Sequence, residues 1–88
     1  MLTFDAMTAD SIHTVMAMMS RTLHDHCQTT GEEETIAASY RGDKIAFSLV
    51  ESKHDGWTGR WYVNNRRILA WVLVARYSQR TGNVQTTR

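Results

Sequence analysis

The sequence predicts an α+β domain in which one N-terminal helix packs on a four-stranded antiparallel β meander. Apolar residues recur at helical spacing before Gly31, and after it they recur at every second position, as they do in strands. The chain has 88 residues, of which 42% are hydrophobic and 22% are charged, as is typical of one globular domain. We therefore expect a single α+β domain over residues 1–82 and a frayed polar tail over residues 83–88.

The first predicted element is a helix near residues 9–29. Its apolar stripe follows the spacing i, i+3, i+4, i+7 and i+11, which keeps the side chains on one helix face. The members of this stripe are Ile12, Val15, Met16, Met19 and Leu23. We expect Thr8 to cap the N-terminus. Gly31 should end the helix, because glycine adopts the left-handed conformation without steric strain.

Three turn signals divide the following residues into strands. A two-residue turn at Gly42-Asp43 predicts a hairpin in which Tyr40 faces Ile45. A three-residue turn, His54-Asp55-Gly56, closes the second hairpin. The third turn is Asn64-Asn65, because asparagine tolerates positive φ, although the same pair would also suit a helix cap.

The apolar run Ile68–Ala75 fits two structures. As a helix it would be apolar all round, and as a strand it would be apolar on both faces. We expect a strand, because a turn signal precedes the run and it contains β-branched and aromatic residues. The alternative is a C-terminal helix, which gives the element order α-β-β-β-α. The strand would leave a second sheet face that one helix cannot cover, carrying Val50, Tyr62, Leu69, Trp71 and Leu73 beside Arg60 and Arg67.

Charge is divided unevenly along a chain whose formal net charge is only +1. All nine carboxylate side chains lie at or before residue 55, and the segment 57–88 carries six arginines instead. Arginine makes planar two-point contacts with phosphates and carboxylates. The arginines either neutralise Glu32–Glu34 on a neighbouring strand or form a basic face for an anionic partner.

One short segment, His24-Asp25-His26-Cys27, contains the residue types that bind zinc. The spacing is unsuitable, because residues two apart on a helix point in nearly opposite directions. The sequence contains no nucleophile elbow and no glycine-rich phosphate loop. We therefore expect no enzyme activity, no catalytic residue, no metal and no cofactor, with Cys27 as a small side chain near the core.

The expected location is the cytoplasm, without membrane association. A single cysteine is typical of a reducing compartment. The longest apolar run, Ile68–Ala75, is too short to cross a bilayer, and no secretion signal is recognisable at the N-terminus.

The expected function is a non-catalytic protein–protein interaction module, because tyrosine, tryptophan and arginine are enriched at binding hot spots. Its partner would be a larger protein or nucleoprotein complex, or a second copy in a homodimer. A compact single domain without a catalytic group is also a form that small inhibitors encoded by phages or mobile elements can take. Such inhibitors, for example anti-CRISPR proteins, block a nucleic-acid-handling complex. The alternative is direct nucleic-acid binding through a basic aromatic sheet face. The expected partner-binding residues are Arg60, Tyr62, Arg66, Arg67, Leu69, Trp71 and Arg76.

Overall fold

The computed structural model describes residues 1–54 and 56–82, in which two helices lie on one face of a five-stranded sheet. The elements are β1 (Leu2–Phe4), α1 (Ile12–Thr30), β2 (Glu34–Tyr40), β3 (Asp43–Ser52), β4 (Gly56–Val63), β5 (Arg66–Ile68) and α2 (Ala70–Gly82). The strand order in the sheet, β1-β2-β3-β4-β5, follows the order of the chain. Strand β1 is parallel to β2, and all other neighbouring strands are antiparallel. The α+β class is confirmed, and the arrangement agrees roughly with the alternative that has a C-terminal helix. The expected tail, 83–88, lies outside the described residues.

Helix α1 buries the stripe that its spacing predicts. Four of its five residues, Ile12, Val15, Met19 and Leu23, are at most 3% exposed, and the fifth, Met16, is partly buried against the same core. Ser11 caps the helix instead of Thr8, because its side chain accepts a 3.2 Å hydrogen bond from the backbone N–H of Thr14. The C-terminal end is as expected, since Gly31 has φ 73° and donates its N–H to the carbonyl of Cys27.

The first hairpin turns one residue earlier than expected. Arg41 and Gly42 occupy the turn with φ of 52° and 84°, and Tyr40 pairs with Asp43. The expected pairing of Tyr40 with Ile45 is therefore wrong by two residues. Because side chains alternate with a period of two, this shift leaves every residue on the face that we expected.

The other two turns also join antiparallel strands. The expectation that Gly56 belongs to the second turn is wrong, because Gly56, with φ 71°, is the first residue of β4 and pairs with Ser52. The expected turn residue Asp55 is outside the described residues. The third turn is confirmed, because Asn64 and Asn65 have φ of 50° and 71° and connect β4 to β5.

The strand expected over Ile68–Ala75 is wrong. Strand β5 ends at Ile68, and the following residues form α2. Leu73 and Tyr77 lie one helical turn apart, are 0% and 6% exposed, and belong to the same core as the α1 stripe. In a strand, these two residues would lie on the same face of the sheet at its edge. In the helix, the two residues pack against α1 and against the sheet. This packing favours the helix over the local β propensity.

A single hydrophobic core lies between the two helices and one face of the sheet. Its buried members are Ala6, Ile12, Val15, Met19, Leu23, Cys27, Ile36, Ala38, Tyr40, Ile45, Phe47, Leu49, Val63, Leu73 and Tyr77. We call the opposite face of the sheet the open face, because neither α1 nor α2 packs on it. Within the described residues, no helix is both long and apolar enough to span a membrane.

Candidate binding surface

Strand alternation determines which side chains lie on the open face. In β3, Ile45, Phe47 and Leu49 face the core, so the residues between them face the other way. The pairing of neighbouring strands extends this assignment across the sheet. The open face includes Thr3, Thr35, Ala37, Ser39, Lys44, Ala46, Ser48, Val50, Thr58, Arg60, Tyr62 and Arg67.

Three cations surround Tyr62 on the open face, and the described strands place no carboxylate there. Arg67 is directly opposite Tyr62 on β5, and Arg60 precedes it by two residues on β4. Ala46 is opposite Tyr62 on β3, so Lys44 is its diagonal neighbour. Such neighbours have Cβ atoms about 5 to 8 Å apart. We call Lys44, Arg60, Tyr62 and Arg67 the cationic cluster.

The Arg60 side chain has a buried donor that lacks a partner among the described residues. Its Nε atom is buried and makes no hydrogen bond to any described residue. In arginine, Nε–H and a neighbouring Nη–H form the edge that binds a carboxylate or phosphate through two parallel hydrogen bonds. A buried donor without a partner is unfavourable by about 1 to 3 kcal/mol. An anion that hydrogen-bonds this Nε–H would therefore remove this penalty as well as form a new contact.

An apolar groove adjoins the cationic cluster on the same face. It has a volume of about 450 Å³. The open-face residues Ala37, Ser39 and Lys44 line one part of it, and the segment after β1, including Met7, lines another. Met7 is 87% exposed, and an unbranched methionine side chain adapts its shape to what it contacts. Because Lys44 belongs to both features, the groove and the cationic cluster form one continuous surface.

Comparison of the chain with protein-family models, curated proteins and solved structures found no match. The open face is therefore interpreted from its own chemistry.

The structure brings together three of the residues that the sequence singles out for partner binding. Arg60, Tyr62 and Arg67 lie side by side on the open face, as expected. Arg66 is exposed, but it pairs with Val63 and therefore lies on the core side of β5. Arg76 lies on α2, where its guanidinium is 3.6 Å from the Asp43 carboxylate.

The expectation that Leu69, Trp71 and Leu73 lie on the open face is wrong, because none of them belongs to a strand. Leu73 is in the core, since it is on the inner side of α2. Leu69 and Trp71 lie at the start of α2 and are 59% and 71% exposed. We call these two exposed apolar residues, which follow β5 in the chain, the apolar edge.

Sequence reasoning missed two parts of this surface, Lys44 and Met7. Lys44 was detectable, because it alternates with the core residue Ile45 in the predicted hairpin and so must face away from the core. Met7 was not detectable, because it lines a groove that forms only when β1 pairs with β2. Strand β1 has three residues, too few to show a period of two in the sequence.

Asp43 holds α2 against the sheet. Its carboxylate accepts hydrogen bonds from Asn64 Nδ2 at 3.0 Å and from the Tyr77 hydroxyl at 2.8 Å. These two hydrogen bonds, followed by the positive charge of Arg76, lower the pKa of Asp43 below its ordinary value of 3.8. Burial and the bond to Asp43 raise the pKa of Tyr77 to about 12. The cluster joins three elements and has a structural role.

The side chains of His24, His26 and Cys27 on α1 do not point toward one common site. The His24 ring bonds back to the carbonyl of Ser20, whereas His26 lies 4.0 Å from the Glu34 carboxylate. Burial raises the pKa of the Cys27 thiol, and the negative charge of Glu34 raises it further. This shift favours the protonated thiol, whereas the pKa of a reactive cysteine is lowered. The described residues contain no group of three or more metal-ligating side chains.

Proposed function

We propose that this chain is a non-catalytic interaction module that binds a larger protein through its open face. The observation that supports this proposal is the cationic cluster around Tyr62 on a sheet face that neither described helix covers. Tyrosine and arginine are the residue types that dominate binding energy at protein interfaces. The open face also presents serine and threonine hydroxyls that can hydrogen-bond a partner.

The exposed apolar edge extends this proposed interface. Leu69 and Trp71 follow β5 directly, and β5 carries Arg67. Large exposed apolar side chains next to charged residues are typical of protein interaction sites. We assign Leu69, Trp71, Arg66 and Arg76 to the periphery of the interface and the cationic cluster to its centre.

A module that binds without reacting acts by occupying its partner's surface. Inhibitors encoded by phages and mobile elements, including anti-CRISPR proteins, block nucleic-acid-handling complexes in this way, and such a complex in the cytoplasm is the proposed partner. This part of the proposal is an analogy with a type of protein. The surface chemistry that supports it is the cationic cluster, because it complements an acidic protein surface.

The proposal is tested by affinity capture from the native host with three tagged chains: wild type, Arg67→Glu and Arg21→Glu. Arg21 is exposed on α1, on the opposite side of the sheet, so its substitution makes the same change of charge elsewhere. We expect wild type and Arg21→Glu to retain the same protein and Arg67→Glu to lose most of it. Equal retention of all partners by the three chains would contradict the proposal.

Direct nucleic-acid binding is the second candidate, because the Tyr62 ring lies among cations and could stack on a base. The affinity for a twenty-nucleotide oligothymidine, measured by fluorescence anisotropy at several salt concentrations, distinguishes this candidate from protein binding. Contact between phosphates and the three cations predicts that log K falls with log salt with a slope of about −2. Absence of binding at low salt would exclude this candidate.

A further inference from the structure

We propose that the open face binds an acidic peptide segment of a partner protein. This segment also contains a large apolar side chain. Its carboxylates would pair with the cationic cluster, and its apolar side chain would enter the groove beside Met7. This inference rests on the proposed function and specifies the partner's chemistry.

Charge complementarity is the first argument. Lys44 and Arg67 are exposed, and Arg60 has a buried Nε without a hydrogen-bond partner among the described residues. Each can donate hydrogen bonds to a carboxylate, and arginine can do so through two parallel bonds. The three cations lie on three neighbouring strands, with Lys44 on β3, Arg60 on β4 and Arg67 on β5. Carboxylates of a peptide that crosses these strands would therefore meet one cation on each strand.

The groove is the second and independent argument. Its volume of about 450 Å³ lies toward the small end of the range for ligand pockets, which suits a single large side chain. Asp5 is the only carboxylate among the lining residues, and its Oδ1 accepts a 2.9 Å hydrogen bond from the backbone N–H of Met7. The mainly apolar lining between Met7 and Ala37 favours an apolar side chain over a phosphate or a sugar.

The same features disfavour the two other occupants. A second copy stacked face to face would offer Lys44, Arg60 and Arg67 no carboxylate from its own described strands, because these strands place none on the open face, and unpaired cations at an interface are unfavourable. A nucleic acid would find one aromatic ring, Tyr62, among the described side chains of the open face, whereas stacking platforms use successive rings.

The test is a selection of random dodecapeptides displayed on phage against the intact chain at physiological salt. Selected peptides are then synthesised, and their Kd values are measured by fluorescence anisotropy. We expect the enriched peptides to have a net negative charge and at least one large apolar residue. Lys44→Glu and Arg67→Glu should each weaken binding at least about tenfold, whereas Arg21→Glu should not.

A second pair of variants tests the groove. Ser39 is exposed and lines the groove, so Ser39→Trp fills it; Thr22→Trp adds the same side chain to the exposed surface of α1. We expect Ser39→Trp to weaken peptide binding at least about tenfold and Thr22→Trp to leave it unchanged. Circular dichroism spectra and Tm values like those of wild type would show that both variants are folded.

The possible failures are distinguishable. Peptides without acidic enrichment that still lose binding in Arg67→Glu would overturn this inference and leave the proposed function standing. Peptides that bind equally to wild type and all the open-face variants would overturn both. Failure to enrich any peptide, displacement of the peptides by oligothymidine, or a dimer disrupted by Arg67→Glu would each overturn the inference.

Discussion

The hydroxyl of Tyr77, on α2, donates a 2.8 Å hydrogen bond to the carboxylate of Asp43, the first residue of β3. The Tyr77 ring also makes an edge-on contact with Tyr40, with the ring centroids 5.2 Å apart. The short C-terminal helix is thus held by the polar contacts of Tyr77 and Arg76 with Asp43 and by core packing. Since α2 also places Leu69 and Trp71 at the edge of the proposed interface, its attachment affects both stability and binding.

Removal of the Tyr77 hydroxyl should destabilise the protein while the ring remains in the core. We expect Tyr77→Phe to lower the free energy of unfolding by about 1 to 2 kcal/mol, because Asp43 loses one hydrogen bond. Urea denaturation measures the change. Tyr62→Phe, on the open face, is the matched control and should change stability by less than about 0.5 kcal/mol. Equal stability of the two variants would show that the Tyr77 bond contributes nothing.

The ionisation of Tyr77 should be visible at alkaline pH. Its pKa is raised from 10.0 to about 12 by burial and then by the bond to Asp43. Because the folded-state pKa is the higher one, the associated stability is fully present below pH 10 and decreases as pH rises toward 12. Ultraviolet titration should show a last step near pH 12, which we assign to Tyr77. In Tyr77→Phe this last step should be missing, and its persistence would contradict the assignment.

Two apolar residues of α2 should respond in opposite ways to truncation. Leu73→Ala should lower the free energy of unfolding by about 2 to 5 kcal/mol, because Leu73 is fully buried. Trp71→Ala should change stability by less than about 0.5 kcal/mol, because the indole is 71% exposed, but should reduce partner capture. Thermal unfolding and capture, measured on both variants, separate the two roles. Unfolding of Trp71→Ala would show that the indole is part of the core.

A side chain at Gly59 is expected to destabilise the protein. A Cβ atom at this position would lie 2.6 Å from Cε1 of Phe47, whose ring packs on Trp61 with centroids 4.3 Å apart. Gly59→Ala should therefore lower the free energy of unfolding by about 1 to 3 kcal/mol. Thr58→Ala, at the adjacent position on the open face, is the control. A Gly59→Ala protein as stable as this control would mean that Phe47 moves aside without strain.

The sequence was sufficient to predict the elements whose pattern is local. Helix α1 shows a regular apolar stripe, and the hairpin strands alternate, so the face of Ile36, Ile45 and Tyr62 was correct even though the pairing was shifted. The shift arose because Gly42 and Asp43 suggested a turn that Arg41 and Gly42 form in the structure. Any even shift preserves the faces, so the pattern alone did not determine the register.

The parts of the fold and of the surface that were not predicted depend on contacts between residues far apart in the sequence. Ile68–Ala75 has the same apolar character in either conformation, and only the contacts of Leu73 and Tyr77 with the rest of the core distinguish helix from strand. Strand β1 is too short for a periodic signal, so the groove beside Met7 was not predictable. Arg60, Tyr62 and Arg67 were predictable as neighbours, because they lie in a hairpin with a recognisable turn.

An amide NMR titration of the labelled chain with the tightest selected peptide tests the open face most directly as a binding surface. We expect the largest shifts at Ala46, Tyr62 and Arg67, on three adjacent strands, and none at Arg21 or Thr22 on α1. Shifts that are largest on the outer surface of α1 and absent from β3 to β5 would contradict this.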